Sequence, residues 1–311
     1  MNAPFDLAVG VDLGGTKIEA VVLRAEGFEE LSRVRVPTLR EEGYDAVVAR
    51  TADTVRAVAR DAGIGLERAT VGVGMPGNVT RKDGFVKNSN TTCLNGRPFR
   101  EDLARTLAHP IAFENDANCF ALAETAHGAA RAYAHGVVFG VIMGTGVGGG
   151  IVVKGEVWGG TQGLGGEWGH HAVWAGRPDA RPCYCGQTGC LESYASGPAV
   201  EADYAARSGR RLTMREIAAR REDDPHARAA IETLLDSFGR ALANLIDILD
   251  PTAIVLGGGL SNLGFLLAEG RERVARYVFN DELLTPIVRN ELGDSAGVVG
   301  AALAGRASRQ R

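Results

Sequence analysis

Two segments of this chain read as a strand, a glycine tip and a second strand. They are LAVGVDLGGTKIEAVVL at 7–23 and GVVFGVIMGTGVGGGIVV at 136–153. Laying Gly10-Val11-Asp12-Leu13-Gly14 on Gly140-Val141-Ile142-Met143-Gly144 needs one constant offset of 130 residues. A repeat of that length implies two related halves, each opening with a hairpin whose tip faces a common cleft. What lies between agrees. Helical spacing over 44–62 (Val47, Val48, Thr51, Val55, Val58, Ala59, Ala62) leads to the strand ATVGVGMPG. A short helix near 99–108 leads to IAFEND and a helix over about 117–130. In the second half, Ile231, Leu234, Leu235, Phe238, Leu242, Leu245, Ile246 and Leu249 form one apolar stripe over 228–249, stopped by Asp250-Pro251. The strand TAIVLGGG and a helix over 263–276 follow. The expected fold class is α/β, with two domains around a cleft.

Composition excludes several functions. The net charge is −4 and no Lys/Arg block is present, so the expectation is no nucleic-acid or anionic-membrane partner. No run of about 18 apolar residues appears, and Asp6 and Asp12 interrupt the N-terminal apolar stretch, so neither a span nor a secretory signal is expected. The chain therefore reads as cytoplasmic, where clustered cysteines point to metal or catalysis before disulfides.

The 42 glycines are clustered rather than dispersed. DLGGTK differs from a P-loop, because Gly-Thr-Lys leads into a strand instead of a helix; GTGVGGG differs from a dinucleotide fingerprint for the same reason. Two readings stand: ordinary tight turns, or hairpin tips offering N–H groups, Thr16, Thr145 and Lys17 to phosphates. Gly257-Gly258-Gly259 after a buried strand adds a third glycine run. Asp12 ends an otherwise apolar strand, where it either holds Mg²⁺ on phosphates or caps its own turn. Asn115-Asp116 ends a strand and opens a helix, so Asp116 is either a cap or a base for an attacking hydroxyl. Three of the five cysteines, Cys183, Cys185 and Cys190, sit thirteen or more residues after His170. They make a Cys₃His set for a structural zinc, which would pin the loop bearing Glu192 to the segment bearing Glu167; a redox thiol role is the alternative.

In this order and spacing, VGVDLGGTKIE, GTGVGGG, GEWGH and CYCGQTGCLE resemble the ROK family of sugar kinases and related repressors, over essentially the whole chain. GFVKNSNTTCLNGRPF and GEWGHH are most like its fructokinase (manno-fructokinase) branch, with the N-acetylglucosamine kinases next. The resemblance implies the duplicated actin-like/hexokinase-like (ribonuclease H-like) ATPase fold. It places one domain at 1–117, with a helix at about 295–311 packed back on it, and the other at 118–294 with the zinc loop. It implies that Gly10, Asp12, Gly14, Gly15, Thr16 and Lys17 together with Gly144, Thr145, Gly146 and Gly148 hold ATP phosphates with Mg²⁺. Gly257, Gly258 and Gly259 lie by the adenosine, and Asp116 is the base. Asn90, Asn115, Asp116, Glu167, His170 and Glu192 meet the sugar, while His170, Cys183, Cys185 and Cys190 hold one structural Zn²⁺, with His171 a neighbour. The implied protein is a homodimer that phosphorylates the 6-hydroxyl of fructose, with mannose also accepted. N-acetylglucosamine kinase or glucokinase is the alternative, and a sugar-sensing regulator without catalysis the remaining one. The regulators carry a DNA-reading segment before the first ATPase strand, which here begins near residue 7.

Overall fold

The computed structural model describes residues 6–24, 27–80 and 82–308. These divide into two compact units: 6–123 with 159–165 and 292–308, and 124–158 with 166–291. In the first, β1 (Leu7–Leu13), β2 (Lys17–Arg24) and β3 (Glu30–Pro37) form an antiparallel meander. Helix α1 (Tyr44–Asp61) leads to β4 (Ala69–Met75), which lies parallel to β1. A hairpin of β5 (Asn78–Val79) and β6 (Val86–Lys87) precedes α2 (Phe99–Leu107). Strand β7 (Ile111–Asn115) joins parallel to β4, and α3 (Asp116–His127) follows, with the unit boundary falling inside it.

The second unit repeats the plan. Strands β8 (Val137–Met143), β9 (Val147–Val153) and β10 (Glu156–Val157) are again an antiparallel meander. Helices α4 (Glu192–Ala195), α5 (Gly197–Ser208), α6 (Met214–Ala219) and α7 (Pro225–Leu249) come before β11 (Ala253–Gly257), parallel to β8. Helix α8 (Gly264–Tyr277) leads to β12 (Ile287–Arg289), parallel to β11. Strand orders are β3-β2-β1-β4-β7 and β10-β9-β8-β11-β12, the same topology twice. Register carries the repeat to single residues. Asp12 faces Glu19 on β2 and Gly74 on β4, while Ile142 faces Gly148 on β9 and Gly257 on β11. One difference sits at the tips: Leu13 pairs with Ile18, but Met143 pairs with Val147, so the second turn is a residue shorter.

The last element among the described residues is α9 (Ala296–Ala307), which packs on β1 and β4. The helix expected over 295–311 is thus shorter at both ends, and 309–311, like 1–5, lie outside the described residues. The long helix starts at Pro225, before its apolar stripe, because Asp224 accepts from the N–H groups of His226 and Ala227 and Pro225 suits the first turn. Both faces of the first sheet are covered, which is why β4 reads as an unbroken buried run. Among the described residues no helix is long and apolar enough to cross a membrane.

Close helix-on-sheet approach accounts for several glycines. A Cβ on Gly10 would stand 2.0 Å from the Val298 carbonyl oxygen, and one on Gly72 1.9 Å from that of Ala301. Gly10 therefore departs from the phosphate role expected of it. It sits mid-strand, buried under α9, and lacks a side chain so that the helix can lie against the sheet.

Candidate active site

The first unit gathers acids at the strand ends. Asp12 is the last polar residue of β1, and Asp116 opens α3 directly after β7. Burial pushes Asp12 up to about 6, with the charge of Asp116 adding to the rise and Lys17 opposing it. A carboxyl held that far above its ordinary range, beside a second carboxylate, is a place where a cation would be welcome. Asn115 has a scaffold task. Its Nδ2 donates to the Gly77 carbonyl at 3.0 Å, and its Oδ1 accepts from the N–H groups of Ala117 (2.9 Å) and Asn118 (3.3 Å). It is Asn115, rather than Asp116, that caps α3, though the Asp116 Oδ1 also accepts from Ala117. Glu114 lies next to this cap, raised by burial and bonded by Asn118 Nδ2 at 2.8 Å.

The first hairpin tip is braced from below by a group the sequence reading passed over. Glu19, fully buried on β2, binds Lys17 at 3.2 Å, Arg35 at 2.9 Å and Arg33. Burial alone would raise its carboxyl, but the hydrogen bonds from Arg35, Arg33 and Lys17 hold it below the usual range. The signal was present, since an ionisable residue in the apolar run IEAVVL requires partners. Above the tip, Gly15 adjoins the loop that bears Asn90, whose Oδ1 would lie 3.6 Å from a Cβ on Gly15. Arg40 donates to the Asn90 carbonyl at 3.0 Å.

That loop also explains its own asparagines. Asn95 accepts from the Ser89 N–H and donates to the Ser89 carbonyl, both at 2.9 Å, closing the loop on itself. Asn88 has φ 58°, the left-handed region that asparagine tolerates better than most residues. Trp168 in GEWGHH is likewise structural. It is buried edge-on to Phe139, and its Nε1 donates to the Gly148 carbonyl at 2.8 Å. Within the two stretches that pointed to fructose, Asn88, Asn95 and Trp168 thus have roles in the loop and the core that do not depend on which sugar binds, while Asn90 and Glu167 keep no such explanation.

In the second unit the GEWGH and Cys-rich segments both grip the hairpin 143–147. Gly169 lies so close to Val147 that a Cβ would be 2.0 Å from the Val147 carbonyl oxygen. Glu192, which opens α4, accepts through Oε2 from the Val147 N–H at 2.8 Å. Tip glycines differ in their reasons. Gly14, Gly15, Gly144, Gly146 and Gly259 are all outside the left-handed region, so backbone conformation does not demand them. Gly258 is the opposite case: its φ is +78°, and a Cβ would be 2.3 Å from the Met143 carbonyl oxygen. Around Gly259 nothing lies within 4 Å of a Cβ, and around Gly144 only the Gly259 nitrogen does, at 3.8 Å. Neither conformation nor internal packing asks for glycine at these two places.

His170, Cys183, Cys185 and Cys190 converge, their ligand atoms all within 4.8 Å of one another. Cys183 Sγ stands 3.6 Å from His170 Nδ1, and Cys185 Sγ 3.6 Å from Cys190 Sγ. A tetrahedral zinc with bonds of about 2.0–2.3 Å has edges of roughly 3.5–3.8 Å, so the donor types and these two pairs fit it, while a span of 4.8 Å would have to draw in on binding. The other ring nitrogen of His170 bonds the Tyr184 hydroxyl at 2.9 Å, which fixes the ring for a ligand at Nδ1. His171 stands apart from this group, stacked on Trp168 with Nδ1 on the Trp168 carbonyl. The intervening loop at 172–182, which matched no motif, packs on α7 through Trp174, whose Nε1 donates to Ser237 at 2.8 Å. Glu167 precedes the Trp168–His170 turn, so Glu167 and Glu192 flank the cluster in sequence.

The comparisons with known proteins agree with this geometry. A model of the ROK family matches residues 8–307. The chain is 36% identical over 303 residues to the N-acetylgalactosamine kinase of Shewanella sp. (strain ANA-3), covering 95% of this chain and 96% of that protein. It is also 36% identical over 301 residues to an N-acetyl-D-glucosamine kinase of Yersinia pseudotuberculosis, covering 94% and 97%. Among solved structures, the ROK hexokinase from Thermus thermophilus has a TM-score of 0.87 at 35% identity, covering 98% and 99% of the two chains. A ROK family glucokinase from Streptomyces griseus, solved with glucose and AMPPNP, has a TM-score of 0.76 at 30% identity, covering 97% and 99%. The fold is the duplicated actin-like, hexokinase-like α/β fold of these proteins. With a full-length family match and relatives above 30% identity along the whole chain, this protein belongs to the ROK family.

Proposed function

We propose that this ROK protein is an ATP-dependent sugar kinase whose acceptor is an N-acetylated hexosamine, phosphorylated at its primary hydroxyl. The observation that carries the kinase reading is the full-length likeness to relatives named as sugar kinases, and the buried Asp12 near Asp116 and Lys17, under a glycine tip, agrees with it. The amino-sugar reading rests on the two full-length relatives named for N-acetylgalactosamine and N-acetylglucosamine. Fructose loses ground to those relatives, and two of its cues, Asn88 of the Asn-rich stretch and Trp168 of GEWGHH, have scaffold explanations. An unsubstituted hexose is the second reading, favoured by the likeness to the Thermus hexokinase.

In this reading the acceptor hydroxyl oxygen attacks the γ-phosphorus and its bond to the bridging oxygen of ADP breaks. Asp116 takes the hydroxyl proton. Bound Mg²⁺ would neutralise phosphate charge, with Asp12 as the residue that organises it. Gly14 to Lys17, Gly144 to Gly146 and Gly259 give the nucleotide room and N–H donors. Asn90, Glu167 and Glu192 are the hydroxyl partners, and His170 with the three cysteines holds zinc. Coupled ADP release, measured with N-acetylglucosamine, N-acetylgalactosamine, glucose, mannose and fructose, tests the assignment. The expected result is kcat/KM highest for an N-acetylated sugar. A higher value for fructose or mannose refutes the acceptor, and no ADP release with any sugar refutes the kinase.

A further inference from the structure

We infer that Glu192 is a coupling residue, one carboxylate shared between the sugar and the nucleotide hairpin, through which each ligand tightens the other. The inference rests on the kinase reading above and deepens it. Glu192 Oε2 accepts from the Val147 N–H at 2.8 Å. That N–H belongs to the first residue of β9, immediately after the tip Gly144-Thr145-Gly146. Gly146 supports the arrangement, because a Cβ there would lie 2.8 Å from the same Oε2. A side chain at 146 would push the carboxylate away from its present position.

A charge-assisted bond to a backbone N–H is stronger than a neutral one, and it sets the position of the whole short turn. Glu192 opens α4 two residues after Cys190, which is buried in the Cys/His cluster, so the side chain that holds the turn is itself rooted in that cluster. In the kinase reading above, its second oxygen, Oε1, is the one that serves a sugar hydroxyl. A hydroxyl bonded to Oε1 fixes the plane of the carboxylate, and that plane fixes how Oε2 meets Val147. Sugar therefore orders the turn that must receive phosphate. By linkage the nucleotide improves sugar binding by the same factor.

Calorimetry on the full chain measures the thermodynamic cycle. The non-hydrolysable β,γ-imido analogue of ATP is titrated with Mg²⁺ present, with and without a saturating amount of the sugar giving fastest ADP release. The wild-type protein is expected to bind the analogue about tenfold more tightly with sugar, within the usual range of coupling between two sites. In Glu192→Gln the amide oxygen can still accept from Val147, but only one acceptor oxygen remains for two tasks. Its analogue affinity without sugar is expected within about twofold of wild type, and the enhancement by sugar falls below about twofold. Glu192→Asp, charged but one methylene too short to serve both ends, should lose the enhancement as well. Retained zinc and an unchanged unfolding temperature show that both variants are folded. A mere sugar ligand would raise the sugar Kd equally with and without nucleotide, leaving the enhancement intact; that result, or no enhancement in the wild-type protein, overturns the inference. Failure of the kinase reading looks different, since then the wild-type protein releases no ADP with any sugar.

Discussion

Replacing Asp12 with asparagine should stabilise the ligand-free protein while disabling it. Asp12 has an ordinary value of 3.8 and is raised to about 6 in the fold, first by burial and then by Asp116. A carboxyl raised by folding binds protons more tightly in the native state, so native stability falls as pH rises through the window from 3.8 to 6. At 1.36 kcal/mol per pKa unit, the raised pKa of Asp12 costs native stability roughly 1.6 kcal/mol at pH 5, where ionisation in the unfolded chain supplies it, and about 3 kcal/mol at pH 7.5, where the native carboxyl is ionised too. An asparagine in its place would have nearly the same shape and no charge to desolvate. The gap between variant and wild type should therefore widen by about 1.4 kcal/mol in favour of Asp12→Asn between pH 5 and pH 7.5. Urea unfolding of both proteins at those two pH values, without nucleotide or divalent cation, isolates this term from pH effects common to both. Adding the Mg²⁺ complex of an ATP analogue should then stabilise the wild type more than the variant, because only the wild type keeps the charge a cation offsets. Turnover of the variant should be low at every pH. Parallel stability curves between pH 5 and pH 7.5 would refute the reasoning, since they would mean that Asp12 is not raised by its surroundings.

Four further outcomes follow from the geometry. Asp116→Asn should fold and bind sugar but lose roughly 10²–10⁴-fold in kcat, and wild-type turnover would reduce the residue to its place beside the α3 cap. Freshly purified protein should carry one zinc per chain by metal analysis, and Cys185→Ser should lose it together with several degrees of unfolding temperature; a full equivalent retained in that variant counts against the Cys₃His site. Gly10→Ala should destabilise by about 3 kcal/mol or more, because its Cβ meets backbone at 2.0 Å. Gly259→Ala should leave stability within about 0.5 kcal/mol yet raise the nucleotide KM, and an unchanged KM would show that no ligand uses that space.

The contrast between Gly10 and Gly259 shows what a sequence like this discloses and what it conceals. A glycine's letter is the same whether it answers to a helix backbone, a left-handed φ or a ligand, and only its neighbours in space tell these apart. Gly10 answers to α9, at the far end of the chain; Gly258 answers to its own φ and to the Met143 carbonyl; Gly259 answers to nothing inside the protein. The repeat was legible because strand register is local and periodic, so Gly10 and Gly140 could be aligned before either was placed. The Cys₃His set was legible because ligand chemistry restricts which residues serve. Which member of Asn115-Asp116 caps the helix was not legible, because both residue types cap helices and the choice depends on which backbone N–H groups lie in reach. Sugar preference was least legible of all. The Asn-rich stretch and GEWGHH read as signs of one acceptor, but in them a left-handed turn at Asn88, a loop closure by Asn95 and a packing contact of Trp168 each use the residue for a reason of its own. If Asn90, Glu167 and Glu192 are the hydroxyl partners proposed above, they are groups that any hexose could engage, so their identities alone do not name the acceptor. What separates one acceptor from another would be which of them finds a matching group on the sugar and how much space surrounds a substituent, and both depend on side-chain positions that residue letters do not state.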